Sequence, residues 1–90
     1  MIRISELEFD EYNESKLAAH GVYAHEVLQL LHNPFTVRRN KRDRSGERQL
    51  IGQTNAGRTL TIVLAATTDP NRWRPVTGWP STPEERKALS

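Results

Sequence analysis

Apolar positions recur at helical spacing in the first third of the chain and alternate with polar ones from Phe35 onward. The pattern therefore predicts helices first and strands after. At the N-terminus Ile2, Ile4, Leu7 and Phe9 alternate loosely with polar residues, which predicts a short first strand. Asp10 is placed to cap a helix starting at Glu11, with acidic residues in the first turn, where the helix dipole favours them. Tyr12, Lys16, Leu17 and Ala19 give that helix a thin apolar face, and His20-Gly21 ends it, glycine being free to take the left-handed conformation of a helix stop. A second helix is predicted from Tyr23 to His32, with Ala24, Val27, Leu28 and Leu31 as its core stripe. Asn33-Pro34 stops it, because the residue before proline avoids the helical region.

Strands are predicted at residues 35–39, 48–54, 58–67 and 73–79, separated by turns at Asp43-Arg44-Ser45-Gly46, Asn55-Ala56-Gly57 and Asp69-Pro70-Asn71. The third of these strands is apolar on both faces and should be central. In the fourth, Pro75 cannot donate to a ladder, which makes that strand an edge or bulges it there. Trp73 and Trp79 have the same parity along it and so are expected to share a face. Thr82-Pro83-Glu84-Glu85 reads as a capping box opening a short C-terminal helix that reaches Leu89. The expected architecture is α+β: one domain over residues 1–90, with two N-terminal helices packed on a four-stranded antiparallel meander, then a short C-terminal helix. The helices would cover one sheet face and leave the other for binding.

Composition narrows the function classes. Ninety residues suffice for one domain, with a total stability of roughly 5–13 kcal/mol. There is no cysteine, so neither a disulfide nor a thiolate metal site is available. No apolar run approaches the ~18 residues that span a bilayer, and the first residues lack a signal-peptide pattern, so a soluble cytoplasmic protein without membrane contact is expected. The net charge of +2 hides an asymmetry: residues 1–34 carry two cations against six anions, whereas residues 35–74 carry nine cations against three anions. Most of those cations are arginine, whose planar fork grips phosphate or carboxylate through two bonds. The asymmetry therefore points to an anionic partner such as RNA, or to arginines that serve as exposed strand ends and as ion-pair partners of Glu6, Glu8 and Glu47.

The candidate chemistry is correspondingly narrow. His25 and His32 lie seven apart, too wide for the i, i+4 spacing of a two-histidine metal pair, so no metal and no cofactor is expected. His20 is either a helix-end histidine that suits the dipole or a general base or phosphate ligand. No serine sits on a nucleophile elbow, and Gly52 and Gly57 do not form a phosphate-cradling loop before a helix. What remains is arginine chemistry. Arg48, Arg58 and Arg74 come from three successive strands and could converge on one sheet face, with Glu47 or a histidine as base. The dense run of Arg38, Arg39, Lys41, Arg42, Arg44 and Arg48 reads as a hairpin serving electrostatic capture of nucleic acid. Trp79 could stack on a base or belong to the core or a partner interface.

Several segments together resemble a known family. Glu8-Phe9-Asp10-Glu11, His20-Gly21-Val22, Asn33-Pro34, Glu47-Arg48, Ile51-Gly52-Gln53-Thr54, Gly57-Arg58-Thr59-Leu60 and Glu84-Glu85-Arg86 occur in an order and spacing similar to the BrnT toxin family. The resemblance runs from about Leu7 to Lys87. It implies a RelE-like fold, metal-independent RNA cleavage as the toxin of a type II toxin–antitoxin system, and a small antitoxin as partner. In that reading Arg58 and Arg74 hold the phosphate, Arg48 assists, and Glu47 or His20 is the base. Two positions depart from the family pattern: Ala19 stands where a lysine is usual, and Trp79 stands where a second arginine is usual. The resemblance thus implies a divergent site, with nuclease activity weakened or absent. The alternative expectation is a non-catalytic RNA- or protein-binding module on the same fold. Either reading is compatible with a homo-oligomer.

Overall fold

The computed structural model describes residues 4–39 and 47–89. The expected turn at Asp43–Gly46, the cations Lys41, Arg42 and Arg44, and Ile2 lie outside them. The element order is β1 (Glu6–Leu7), α1 (Glu11–Ala18), α2 (Ala24–Leu30), β2 (Phe35–Arg39), β3 (Arg48–Gln53), β4 (Thr59–Ala66), β5 (Arg72–Pro80) and α3 (Pro83–Lys87). The α+β class is as the pattern predicts, with two helices before the long strands and a short one after them.

The sheet differs from the expected four-stranded antiparallel meander. It has five strands in the order β1-β5-β4-β3-β2, and β1 pairs parallel with β5. The first strand is only two residues long, so alternation in the sequence could not show which strand it joins. Its place comes from long-range contacts. The Ser5 and Glu6 amides donate to the Asn71 carbonyl and the Glu8 amide to the Trp73 carbonyl, while Arg72 pairs with Glu6 and Glu8. The apolar strand β4 is central, as expected, flanked antiparallel by β3 and β5.

Pro75 marks a bulge. Val63 pairs with Thr77, but Leu64 pairs with Pro75, which leaves Val76 as an extra residue. An inserted residue reverses the alternation of faces along a strand. Trp73 and Trp79 therefore do not share a face as their spacing suggests. Trp73 is buried in the core with Leu60, Ile62 and Leu64, whereas Trp79 pairs with Thr61 on the opposite face.

Both N-terminal helices cover one face of the sheet, where Leu17, Val22, Val27 and Leu30 meet Leu50, Leu60, Ile62 and Leu64. The stripe on α2 is rotated from the predicted one. Val27 and Leu30 are fully buried, while Leu28 is 44% exposed. A helix of seven residues makes barely two turns, so an i, i+3 pair is enough to seat it against β3. On α1 the buried positions are Leu17 and Asn13, and Tyr12 lies outside with Lys16 over its ring. Gly21 and Gly57 take the positive φ expected of them, 75° and 88°.

At Gly78, α1 packs closely on the sheet. A Cβ there would lie 2.6 Å from Ile62 Cδ1 and 3.0 Å from both Leu17 Cδ2 and the Thr61 carbonyl oxygen. Gly78→Ala is expected to cost about 1–3 kcal/mol through overpacking, read as a lower urea midpoint at unchanged slope. An unchanged midpoint would show that α1 can back away from β5 without penalty.

The N-terminus of α1 is closed by a reciprocal pair. The Asn13 amide donates to Asp10 Oδ1 at 2.8 Å and the Asp10 amide to Asn13 Oδ1 at 2.9 Å. Asn13 Nδ2 also donates to the Glu8 carbonyl at 3.0 Å, which explains how an asparagine can be 1% exposed. The Asn13 amide holds the Asp10 carboxyl below its ordinary value of 3.8, and Arg74 adds to the effect. A carboxyl whose pKa is lower in the folded state than in the unfolded chain favours folding once it is ionised in both. That contribution is present above the ordinary value and is lost as pH falls below it, through the lowered one. The stability difference between the wild type and Asp10→Ala is therefore expected to shrink on acidification below about pH 4. Urea titrations at neutral and acidic pH measure it, and an equal difference at both would contradict this account.

Candidate functional site

The sheet face away from α1 and α2 carries two cross-strand rows. One runs Arg38–Gln49–Val63–Thr77 and the next Thr36–Ile51–Thr61–Trp79, each step being a paired register position. The helix α3 packs on the second row rather than leaving the face bare. Its Glu85 is buried, and Glu85 Oε1 accepts from Thr61 Oγ1 at 3.1 Å, from Trp79 Nε1 at 3.0 Å and from the Thr82 amide at 2.8 Å. Thr61 Oγ1 also lies 2.8 Å from Ser81 Oγ, so its hydroxyl is doubly engaged.

Beside α3 the first row forms the floor of a groove of about 570 Å³. Val63 and Thr77 lie beneath it, with Arg38, Gln49 and Glu47 toward the β2–β3 side and Trp79, Glu84 and Glu85 on the α3 side. The Arg38 guanidinium is held at three points. Nε donates to Gln49 Oε1 at 2.8 Å, and Nη1 and Nη2 donate to the two oxygens of Glu84 at 3.2 and 3.1 Å. Among the described lining residues the groove thus holds one guanidinium and three carboxylates.

The structure distributes the described sequence-predicted site residues over several places. Arg38, Glu47 and Trp79 come together in the groove. Arg58 and His20 lie at another corner, where α1 ends: Arg58 Nη1 is 2.9 Å from each oxygen of Glu26, and Nη2 donates to the Gly21 carbonyl at 2.9 Å. His20 is exposed beside that carbonyl, its backbone amide donating to the Leu17 carbonyl. Arg74 sits at the opposite end of the sheet, opposite Ala65, where it pairs with Glu8 and Asp10. Arg58 precedes Thr59 and Arg74 pairs with Ala65, so seven residues along β4, about 23 Å, separate the two arginines. They do not converge on one phosphate in this structure. Arg48 begins β3 on the helix-bearing face, opposite Leu64, with Nη1 donating to the Glu47 carbonyl, and Arg39 is exposed at the end of β2.

Among the described residues, part of the charge asymmetry along the chain is neutralised by ion pairs between its acidic and basic parts. Glu6, Glu8, Asp10 and Glu26 of the acidic third bind Arg72, Arg74 and Arg58 of the basic stretch. The pairing of Glu6 and Glu8 with arginines is the alternative the sequence offered, but local spacing does not show which arginine each meets, 32 to 66 positions away across the set. Sequence reasoning also missed Gln49 and the interior role of Glu85, although the capping box at Thr82 marks Glu85 as a helix-start residue. Among the described residues, no group of three or more histidine, aspartate or glutamate side chains is arranged to hold a metal ion, and no helix is long and apolar enough to cross a membrane.

The fold and groove define a small α+β domain with α1 and α2 on one face of a mixed sheet, and α3 with a cleft beside it on the other. No protein-family model, curated protein or solved structure matches the chain.

Proposed function

We propose that the protein is an RNA-cleaving toxin of a two-component toxin–antitoxin pair, with a RelE-like fold, acting in the cytoplasm and masked by a small antitoxin. The observation that carries the reading is the convergence of Glu47, Arg38 and Trp79 on one groove of the face away from α1 and α2. Two of them are group types that metal-free RNA cleavage uses, a base and a cation for the phosphate, and the third is a ring for base stacking. Glu47 accepts the proton of a 2′-hydroxyl. The freed oxygen attacks the adjacent phosphorus and forms a cyclic phosphate. The bond from phosphorus to the 5′-oxygen breaks, and that oxygen takes a proton from water. Arg38 neutralises the charge that develops on the phosphoryl oxygens. The Trp79 indole, held by Glu85, offers a ring for a base to stack on, worth ~1–3 kcal/mol. Arg58 acts here as a structural clamp at the α1–α2 corner rather than as a phosphate ligand.

One observation favours a second reading, a module that binds RNA without cutting it: Arg58 and Arg74 are both engaged by carboxylates and stand far apart. Induced expression in a bacterial host separates the two. The toxin reading expects growth arrest with fragmented RNA while folded protein accumulates. Folded protein with intact RNA and normal growth would overturn it. RNA binding by that same protein would then support the second reading.

A further inference from the structure

Two adjacent glutamates of α3 do different work. Glu85 is buried and anchors the helix to Thr61 and Trp79. Glu84 stands 65% exposed at its side-chain end and lies fork to fork on Arg38, which is 29% exposed. We infer that Glu84 occupies the position of an RNA phosphate, so that the C-terminal helix latches the groove until a nucleic-acid phosphate displaces its carboxylate. This inference rests on the proposed RNA-binding role of the groove.

The geometry makes the two anions interchangeable. A guanidinium presents parallel N–H donors that fit two oxygens of either a carboxylate or a phosphate. Gln49 Oε1 holds the Nε side of Arg38, so the fork keeps its aim over the Val63–Thr77 floor whichever anion it meets. The carboxylate is the movable partner. It belongs to an exposed side chain, and exposed ion pairs contribute only ~0.2–1 kcal/mol. Glu85 keeps α3 seated when Glu84 swings away, because its own bonds run to Thr61, Trp79 and Thr82 and none runs to Arg38. The groove can therefore open at one end without the helix leaving the sheet.

The test uses the full chain and a short single-stranded oligoribonucleotide, with binding followed by fluorescence anisotropy over a series of salt concentrations. Glu84→Gln is expected to bind roughly two- to five-fold more tightly than the wild type. Glu84→Ala should show the same gain if the carboxylate, not the shape, is what blocks the site. Glu14→Gln, the same charge change on the exposed side of α1, controls for the overall field and should produce a smaller shift. Adding Arg38→Gln to Glu84→Gln should remove the gain. Equal affinity of Glu84→Gln and wild type, or an equal gain from Glu14→Gln, overturns the latch. If Arg38→Gln alone still weakens binding, the groove reading survives that loss. If Arg38→Gln alone binds as the wild type does, or if no variant binds RNA, both inferences fall.

Discussion

Glu47→Gln is expected to slow RNA cleavage by about 10²–10⁴-fold while leaving RNA affinity and the melting temperature close to those of the wild type. Glutamine keeps the size and the carbonyl acceptor of the side chain but cannot take up the 2′-hydroxyl proton. The loss should therefore fall on the rate of the chemical step at saturating RNA, not on binding. The informative contrast is with Arg58→Ala. If Arg58 is a clamp, its removal leaves the Gly21 carbonyl without this donor and Glu26 with the Tyr23 amide, and costs about 1–2 kcal/mol of stability, discounted for partial exposure. Cleavage by the folded fraction should persist. A variant set in which Arg58→Ala abolishes cleavage at full stability, and Glu47→Gln does not, would move the chemistry to the α1–α2 corner. Single-turnover rates and thermal melts on the same preparations decide between the two.

Glu85→Ala should be the most damaging polar substitution considered, lowering stability by about 2–4 kcal/mol. Its carboxylate is the acceptor for the Trp79 indole, the Thr61 hydroxyl and the Thr82 amide, at 3.0, 3.1 and 2.8 Å. Alanine leaves these donors facing a space that no side chain fills, at a buried position. The loss is a large fraction of a total of roughly 5–13 kcal/mol for a chain of this length. The urea midpoint should fall, and Trp79 fluorescence should shift as its ring loses its anchor. Glu85→Gln retains one acceptor and should recover part of the midpoint. An unchanged midpoint in Glu85→Ala would mean that the indole and α3 are held by something other than this carboxylate. Stability and groove shape are coupled here, so Glu85→Ala is also expected to weaken RNA binding, in contrast to Glu84→Gln.

Much of the local structure was legible in the chain. Asp10 and Thr82 mark helix starts, and both prove to be reciprocal caps. Gly21 and Asn33-Pro34 bracket α2, and the apolar run of β4 identifies the central strand. Such features are decided within a few residues by capping, allowed φ and side-chain alternation, and each leaves a short-range trace. Pro75 announced an irregular strand by the same logic, because a missing N–H is a property of one residue.

The consequences of that irregularity were not legible. One extra residue at Val76 sends Trp73 and Trp79 to opposite faces, and whether a proline gives a bulge or an edge depends on the strands beside it. The candidate site was only partly readable for a related reason. Glu47, Arg38 and Trp79 could be singled out by residue type, but their meeting depends on pairing across four strands. Arg58 and Arg74 looked equivalent in sequence and are separated by the length of β4, each held by carboxylates from the N-terminal third.

By itself, then, the sequence determined the α+β class, the helix starts after Asp10 and Thr82, the central strand and an arginine-rich stretch over residues 35–74. The tertiary structure alone decided where β1 joins the sheet, which tryptophan faces the groove and which arginines are neutralised. The physical reason is range. Caps, turns and alternation are short-range effects, whereas ion pairs such as Glu8 with Arg74 and bonds such as Glu85 with Thr61 exist only once distant segments have met. The described arginines of residues 35–74 thus form a clamp at Gly21, a brace along β1 and a fork in the groove, with Arg39 exposed at the end of β2 and Arg48 at the start of β3.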